Sequence, residues 1–140
     1  MDCRLLLDAP KVVGNWVYAR TGGTFPENIC TAIGLLKDDK LVAGVVYEGF
    51  NGASIKTHIA IDDKTYLTKT FINKIFAYPF DQLKVKKLIG IVDSSNTEAL
   101  NLNKRLGFVQ EGVLEGASLT GDLILMTMTK SQCRWLKDSK

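Results

Sequence analysis

Histidine is almost absent from this chain: His58 is the single one in 140 residues. A metal centre built from several imidazoles is thereby excluded. Cysteine is nearly as scarce. Cys3, Cys30 and Cys133 are odd in number, widely separated and without C-x-x-C spacing. They argue against a disulfide frame and a thiolate zinc site, and for a reducing compartment. Long apolar runs are missing too. Leu5, Leu6 and Leu7 are followed at once by Asp8, far short of the ~7–15 apolar residues of a signal peptide. Nowhere is there the run of ~18 apolar residues that spans a bilayer, so the expected location is cytoplasmic, with no membrane partner. Charge of one sign is also weak. A net charge of +3, evenly spread, does not call for nucleic acid, and the lysines at 84, 86 and 87 read as a solvated face.

What is present is the composition of one globular domain, 46% hydrophobic and 24% charged, expected to span residues 1–140. Pro10 suits the first turn of a helix running to Arg20, with Val13, Trp16 and Val17 at helical spacing and Thr21-Gly22-Gly23 ending it. The runs 28–36 and 41–50 flank Asp38-Asp39-Lys40 and read as a hairpin. After the turn signal Asn51-Gly52, residues 54–61 alternate, with Ile55, Thr57, Ile59 and Ile61 on one face. Three strands of an antiparallel meander are expected.

The period then changes. Leu67, Phe71, Ile72, Ile75 and Phe76 form the stripe of a half-buried helix over 66–80, ended or kinked by Pro79. Leu88, Ile89, Ile91 and Val92 suit a strand buried on both faces, and a strand–helix–strand order yields a parallel neighbour. Asn96 is a good helix N-cap, with Glu98 in the positive first turn. Ala99, Leu102 and Leu106 share a face, and Gly107 is placed for the left-handed residue after the last turn. Residues 108–119 and 122–129 then pair across Thr120-Gly121, and a short helix over 131–136 closes the chain. The fold class expected is α/β, a mixed, mostly antiparallel sheet of about six or seven strands flanked by helices.

The residues Asn96, Ala99, Leu102, Leu106, Gly107, Phe108, Glu111 and Gly112 spell N-x-x-A-x-x-L-x-x-x-L-G-F-x-x-E-G. This pattern resembles the C-terminal half of GNAT-type N-acetyltransferases. The final hairpin and its Met126/Met128 strand are similar to the ribosomal-protein and spermidine branches. The combination of 76–88, 96, 106–114 and 133–136 resembles small GNAT-like proteins of phages and prophages. The resemblance covers residues 54–136 and implies a sheet whose central parallel strands splay apart to admit acetyl-CoA as co-substrate. It also implies an amine acceptor, either a small molecule or a protein amine. Strands at the sheet's end offer a route to a homodimer.

Carried over residue by residue, the resemblance makes Ile59, Ala60 and Ile61 one edge of the slot for the pantetheine arm, with Asn96 reaching the arm from the helix start. The phosphates call for backbone N–H groups at a helix start. In the family these lie in a glycine-rich loop. The matching stretch Asp62–Thr70 has no glycine, and Tyr66 or Leu67 and Thr68 or Lys69 take the glycine positions. Thr68, Lys69 and Thr70 offer hydroxyls and charge instead. Where many members carry a tyrosine acid, the chain has Asn103, which has no proton to give. Expelling a thiolate from a thiol of pKa ~8.5 at pH 7 costs about 2 kcal/mol, whereas deprotonating an amine of pKa ~10.4 costs about 4.6 kcal/mol. A base therefore matters more than an acid. The candidates are His58, whose side-chain type titrates nearest neutrality, Glu48 and Glu111. Alternation turns His58 away from the face of Ile59 and Ile61. A second class of function stays open, a binding protein of phage type that keeps the fold without the chemistry.

Overall fold

The computed structural model describes residues 3–21 and 31–136. Cys30 and the residues expected at 22–23 and 28–30 lie outside them. Seven strands form one sheet: β1 (Cys3–Leu6), β2 (Thr31–Lys37), β3 (Lys40–Glu48), β4 (Ser54–Ile61), β5 (Lys87–Asp93), β6 (Val109–Ser118) and β7 (Gly121–Thr129). Their order is β1-β2-β3-β4-β5-β7-β6. Every neighbouring pair is antiparallel except β4–β5. Among the described residues three α-helices flank the sheet: α1 (Pro10–Thr21), α2 (Lys69–Ala77) and α3 (Thr97–Leu106). The mixed sheet flanked by helices agrees with the sequence-based expectation. No helix among the described residues is long and apolar enough to cross a membrane.

Alternation along β4 divides the core into two layers. Ile55 and Ile59 point into the larger one with Phe71, Ile75 and Phe76 of α2, Leu106 of α3, and Met126 and Met128 of β7. Ala60 joins the smaller one, with Val13 and Val17 of α1 and Val46 of β3. Helix α1 lies unusually close to the sheet. The paired Gly34 and Gly44 make this possible, since a Cβ at either would meet Val13 or Val17 at 2.8 Å. The β2–β3 hairpin turns at Asp38 and Asp39, both at positive φ, the two-residue geometry that follows strand twist and that Asp tolerates.

Pro79 shapes the end of α2. It lacks an N–H, so the carbonyl of Ile75, four residues earlier, loses its helical donor. The fully buried Tyr47 hydroxyl donates to that carbonyl at 2.6 Å, and Tyr78–Gln82 continues as a wider π-type turn. Burial, with Tyr78 beside it, pushes the Tyr47 hydroxyl well above its usual pKa, which keeps it a donor.

Four local expectations need correction. The short strand β1, unforeseen, pairs with β2 at the sheet edge. Tyr66 and Leu67 precede α2: residues Lys64–Tyr66 form a separate single turn, and Thr68 caps the helix by accepting from the Phe71 N–H. The buried face of α1 is Val13, Gly14, Val17 and Tyr18, with Trp16 only half-buried. In place of a closing helix there is one 3-10 turn, Lys130–Gln132. The segment after it docks on the end of α3, where Trp135 Nε1 donates to the Leu106 carbonyl and Arg134 to the Arg105 carbonyl, each at 2.6 Å.

Candidate active site

The site begins where the sheet comes apart. β4 and β5 are in register only over Ser54–Lys56 and Lys87–Ile89. β4 stays with β3 as far as Ile61, and β5 stays with β7 as far as Asp93. From Thr57 and Gly90 onward the facing edges have no strand partner among the described residues, so their peptide groups are open to a third, strand-like occupant. A cavity of about 150 Å³ fills the narrow end, lined by Thr57, His58, Ile59, Gly90, Asn96 and Asn103 among others. It shares Thr21, Ile59, Asn96 and Ala99 with a wider cavity of about 630 Å³ that reaches Ala60, Ile61, Lys64, Leu67 and Arg105.

Helix α3 places two amides on this groove. Asn96 opens the helix, its Oδ1 accepting from the Ala99 N–H at 3.1 Å, and Gly107 ends it in the left-handed conformation at φ 107°. Both ends thus form as the sequence suggests. Capping uses the carbonyl of Asn96 and leaves its amide NH₂ for the groove. Asn103, 6% exposed, donates from Nδ2 to the Ala99 carbonyl at 2.8 Å. Its Oδ1 faces Gly90, where an added Cβ would come within 3.3 Å.

On the opposite sheet face, His58 Nε2 lies 2.5 Å from Glu48 Oε2 on the neighbouring strand. The Tyr18 hydroxyl of α1 donates to the same oxygen at 2.6 Å, and its ring stands 5.2 Å from the imidazole. Lys56 Nζ lies 3.7 Å from Glu48 Oε1. Partial burial works to raise the Glu48 carboxyl, but bonds from Tyr18 and His58 and the nearby Lys56 charge outweigh it and hold the group below its usual value. The carboxylate fixes the imidazole by engaging Nε2, so Nδ1 is the ring nitrogen outside this contact. His58 and Glu48 therefore form one unit. Glu111 stands apart, engaged by Lys87 at 2.9 Å and Thr127 at 2.7 Å and lining neither cavity. These Lys87 and Thr127 bonds hold its carboxyl below the usual value.

At the wide end, the loop before α2 consumes its own donors. Asp63 Oδ1 takes the Thr65 N–H at 2.8 Å, and the N–H groups of Tyr66, Leu67 and Thr68 bond to carbonyls within the loop. The first-turn N–H groups of Lys69 and Thr70 have no partner among the described residues. Their side chains, however, line a separate depression with Leu5, Asn73, Lys74 and Trp135. Cations on the groove itself come from Arg20, Lys64 and Arg105, balanced by Asp62, Asp63 and Glu98. Arg20 is tied to Asp62 at 3.0 Å. The structure thus brings Ile59, Ala60, Ile61, Asn96, His58 and Asn103 together and sets the side chains of Lys69 and Thr70 aside. Among the described residues no cluster of side chains suits a metal.

Sequence reasoning missed Tyr18, Thr57, Lys64 and Arg105 as site residues. The only available signal for Tyr18 was its place one residue after Val17 on the helix stripe. For Thr57 it was a hydroxyl amid isoleucines on a buried strand face.

No protein-family model matches the chain, and no curated protein does. Solved structures do. A spermidine N-acetyltransferase from Vibrio cholerae, in complex with CoA and spermine, is 19% identical, with a TM-score of 0.70 over 93% of this chain and 96% of that one. A mutant form of the Vibrio cholerae enzyme gives a TM-score of 0.73 at 19% identity over 99% and 98% of the two chains. A protein described as a probable acetyltransferase gives 0.60 at 18% identity, over 73% of this chain and 63% of that one. At this identity the likeness is one of architecture: the chain has the fold of these spermidine N-acetyltransferases.

Proposed function

We propose that the chain is an N-acyltransferase that moves an acetyl group from acetyl-CoA to a primary amine by direct attack in a ternary complex. The observation that carries this reading is the parting of β4 and β5 after Lys56 and Ile89, beside Asn96. An extended arm with two amides fits a slot with free strand edges on both sides, one of which holds Ile59, Ala60 and Ile61. The Asn96 amide meets the arm from the start of α3. The phosphate end fits less fully, because the loop donors are spent. It is served by the two free N–H groups at the start of α2, at Lys69 and Thr70, where the helix dipole also favours an anion, and by the Lys64 and Arg105 side chains.

The bound thioester supplies an activated acyl group. The chain's own part is to hold it dry in the narrow cavity and to take a proton from the amine. His58, bonded through Nε2 to Glu48, takes that proton, and Glu48, itself bonded by Tyr18, stabilises the imidazolium that results. Asn103 forms a polar, non-acidic wall. The acceptor class is a primary amine, of a small molecule or of a protein. Incubation with acetyl-CoA and a panel of amines (spermidine, free lysine, a peptide N-terminus) tests the reading. Thiol release together with a gain of one acetyl mass on at least one amine is expected, and thiol release no faster than in buffer with every amine would overturn it.

A homodimer through β6 belongs to the same reading. Among the described residues β6 is an unpaired sheet edge, with Val109, Val113 and Leu114 each more than 40% exposed. Sedimentation at micromolar concentration checks it, a monomer being the contrary result. A second reading, a binding protein without acyl transfer, is favoured by the self-satisfied loop before α2. It predicts no affinity for acetyl-CoA.

A further inference from the structure

Thr57 is the one buried side chain whose polar atom, Oγ1, has no hydrogen-bond partner among the described residues. The residue is 5% exposed and lines the narrow cavity of about 150 Å³ with Gly90 and Asn103. Native interiors rarely leave a buried hydroxyl unpaired, and an exception calls for a catalytic role or for a partner from outside the chain, a ligand, an ion or a water. Thr57 stands at the first position where β4 has lost its β5 neighbour. Its neighbour His58 points to the opposite sheet face by strand alternation. The two residues therefore line one cavity from opposite sides of the sheet.

We propose that the Thr57 hydroxyl binds the sulfur of the acyl donor and stabilises it as it departs. This rests on the acyltransfer reading above. In the step, the amine nitrogen forms a bond to the thioester carbonyl carbon and the carbon–sulfur bond breaks. The bonding pair stays on sulfur as a thiolate, and the amine's surplus proton passes to His58 Nδ1. Thr57 gives up no proton; it donates a hydrogen bond. A thioester sulfur is a weak acceptor and a thiolate a strong one, so the contact strengthens as the bond breaks, which is the condition for lowering a barrier. Carbonyl oxygens of the donor have strand N–H groups available along the slot. The sulfur has none, and the orphaned hydroxyl answers that need. Thr57 also explains how a site with Asn103 at the expected acid position can still release a thiolate.

The test compares CoA with desulfo-CoA, the same molecule without its sulfur, by calorimetric titration at neutral pH and again above the thiol's pKa of ~8.5. The titratable side chains lining the narrow cavity are His58 on β4 and Asp93 on β5; α3 contributes the uncharged Asn96 and Asn103 and α1 contributes Thr21. All of them are common to every protein compared. In the wild type, affinity for CoA relative to desulfo-CoA should rise about tenfold at the higher pH, the size of one hydrogen bond to a charged group. Thr57→Val should lose that rise and melt no lower than wild type, since it removes an unpaired buried hydroxyl at constant volume. Thr57→Ser should keep the rise. A rise in Thr57→Val equal to that of the wild type overturns the Thr57 assignment and leaves the acyltransfer reading standing. A wild type that binds neither compound overturns that reading and this inference with it.

Discussion

Strand β5 has two edges with different fates. Toward β7 it is paired at seven successive residues, Lys87 to Asp93; toward β4 it is paired at three. The same residues with the same twist serve both edges, so the slot is not a defect of β5. Nor is it one of β4, which stays in unbroken register with β3 from Lys56 to Ile61. Each strand is committed to its antiparallel partner, and the sheet is two antiparallel halves joined by a short parallel seam. Parallel pairing is the slightly weaker kind, and the seam is where the halves, twisting separately, come apart. The difference teaches that an open slot can arise from how a sheet is assembled, with no loop built for the purpose.

Removing the chemistry from the open side should have the largest effect. His58→Ala should lower kcat by about 10²–10⁴-fold, the usual worth of a positioned general base, with the melting temperature little changed; amine-acetylation kinetics check this. On the closed side the loss should be of stability. Met126 is fully buried on β7, and Met126→Ala should cost about 2–5 kcal/mol in urea unfolding through the cavity it leaves. Asn96 belongs to both sides of the contrast. Asn96→Ala removes the cap on α3, worth about 1 kcal/mol, and should also weaken acetyl-CoA binding; a titration and a melt on the same sample separate the two effects.

The smallest effect expected is with pH. Hydrogen bonds from Ser118, Ser95 and Thr120 hold Asp93 well below the usual carboxylate range, and Glu48 is also held down, against its burial, by Tyr18, His58 and Lys56. A carboxyl depressed in the folded state contributes stability above its unfolded value and loses it as pH falls through the folded one. Melting temperature should therefore be insensitive to these groups above about pH 5 and fall below about pH 4.

Much of this architecture was legible because local signals agreed with the global fold. Ile55, Thr57, Ile59 and Ile61 do share a face, and Asn96 and Gly107 do bound α3. β1 was not legible, since four residues at an edge carry too little periodicity to register. The start of α2 was misplaced because Tyr66 and Leu67 continue an apolar stripe while Asp63 and Thr68 divert the backbone locally. In the site, strand residues were readable from alternation. The Tyr18–Glu48–His58 unit was not, because it joins α1, β3 and β4 across 40 residues of sequence, and no local pattern encodes such a meeting. Thr57 was placed on the right face, but its missing hydrogen-bond partner exists only in three dimensions.

The most direct measurement is a calorimetric titration of the wild-type chain with acetyl-CoA. An open slot beside Asn96 should give saturable one-to-one binding at micromolar affinity. No heat of binding up to millimolar acetyl-CoA would contradict the assignment of the parted strands as a cofactor slot.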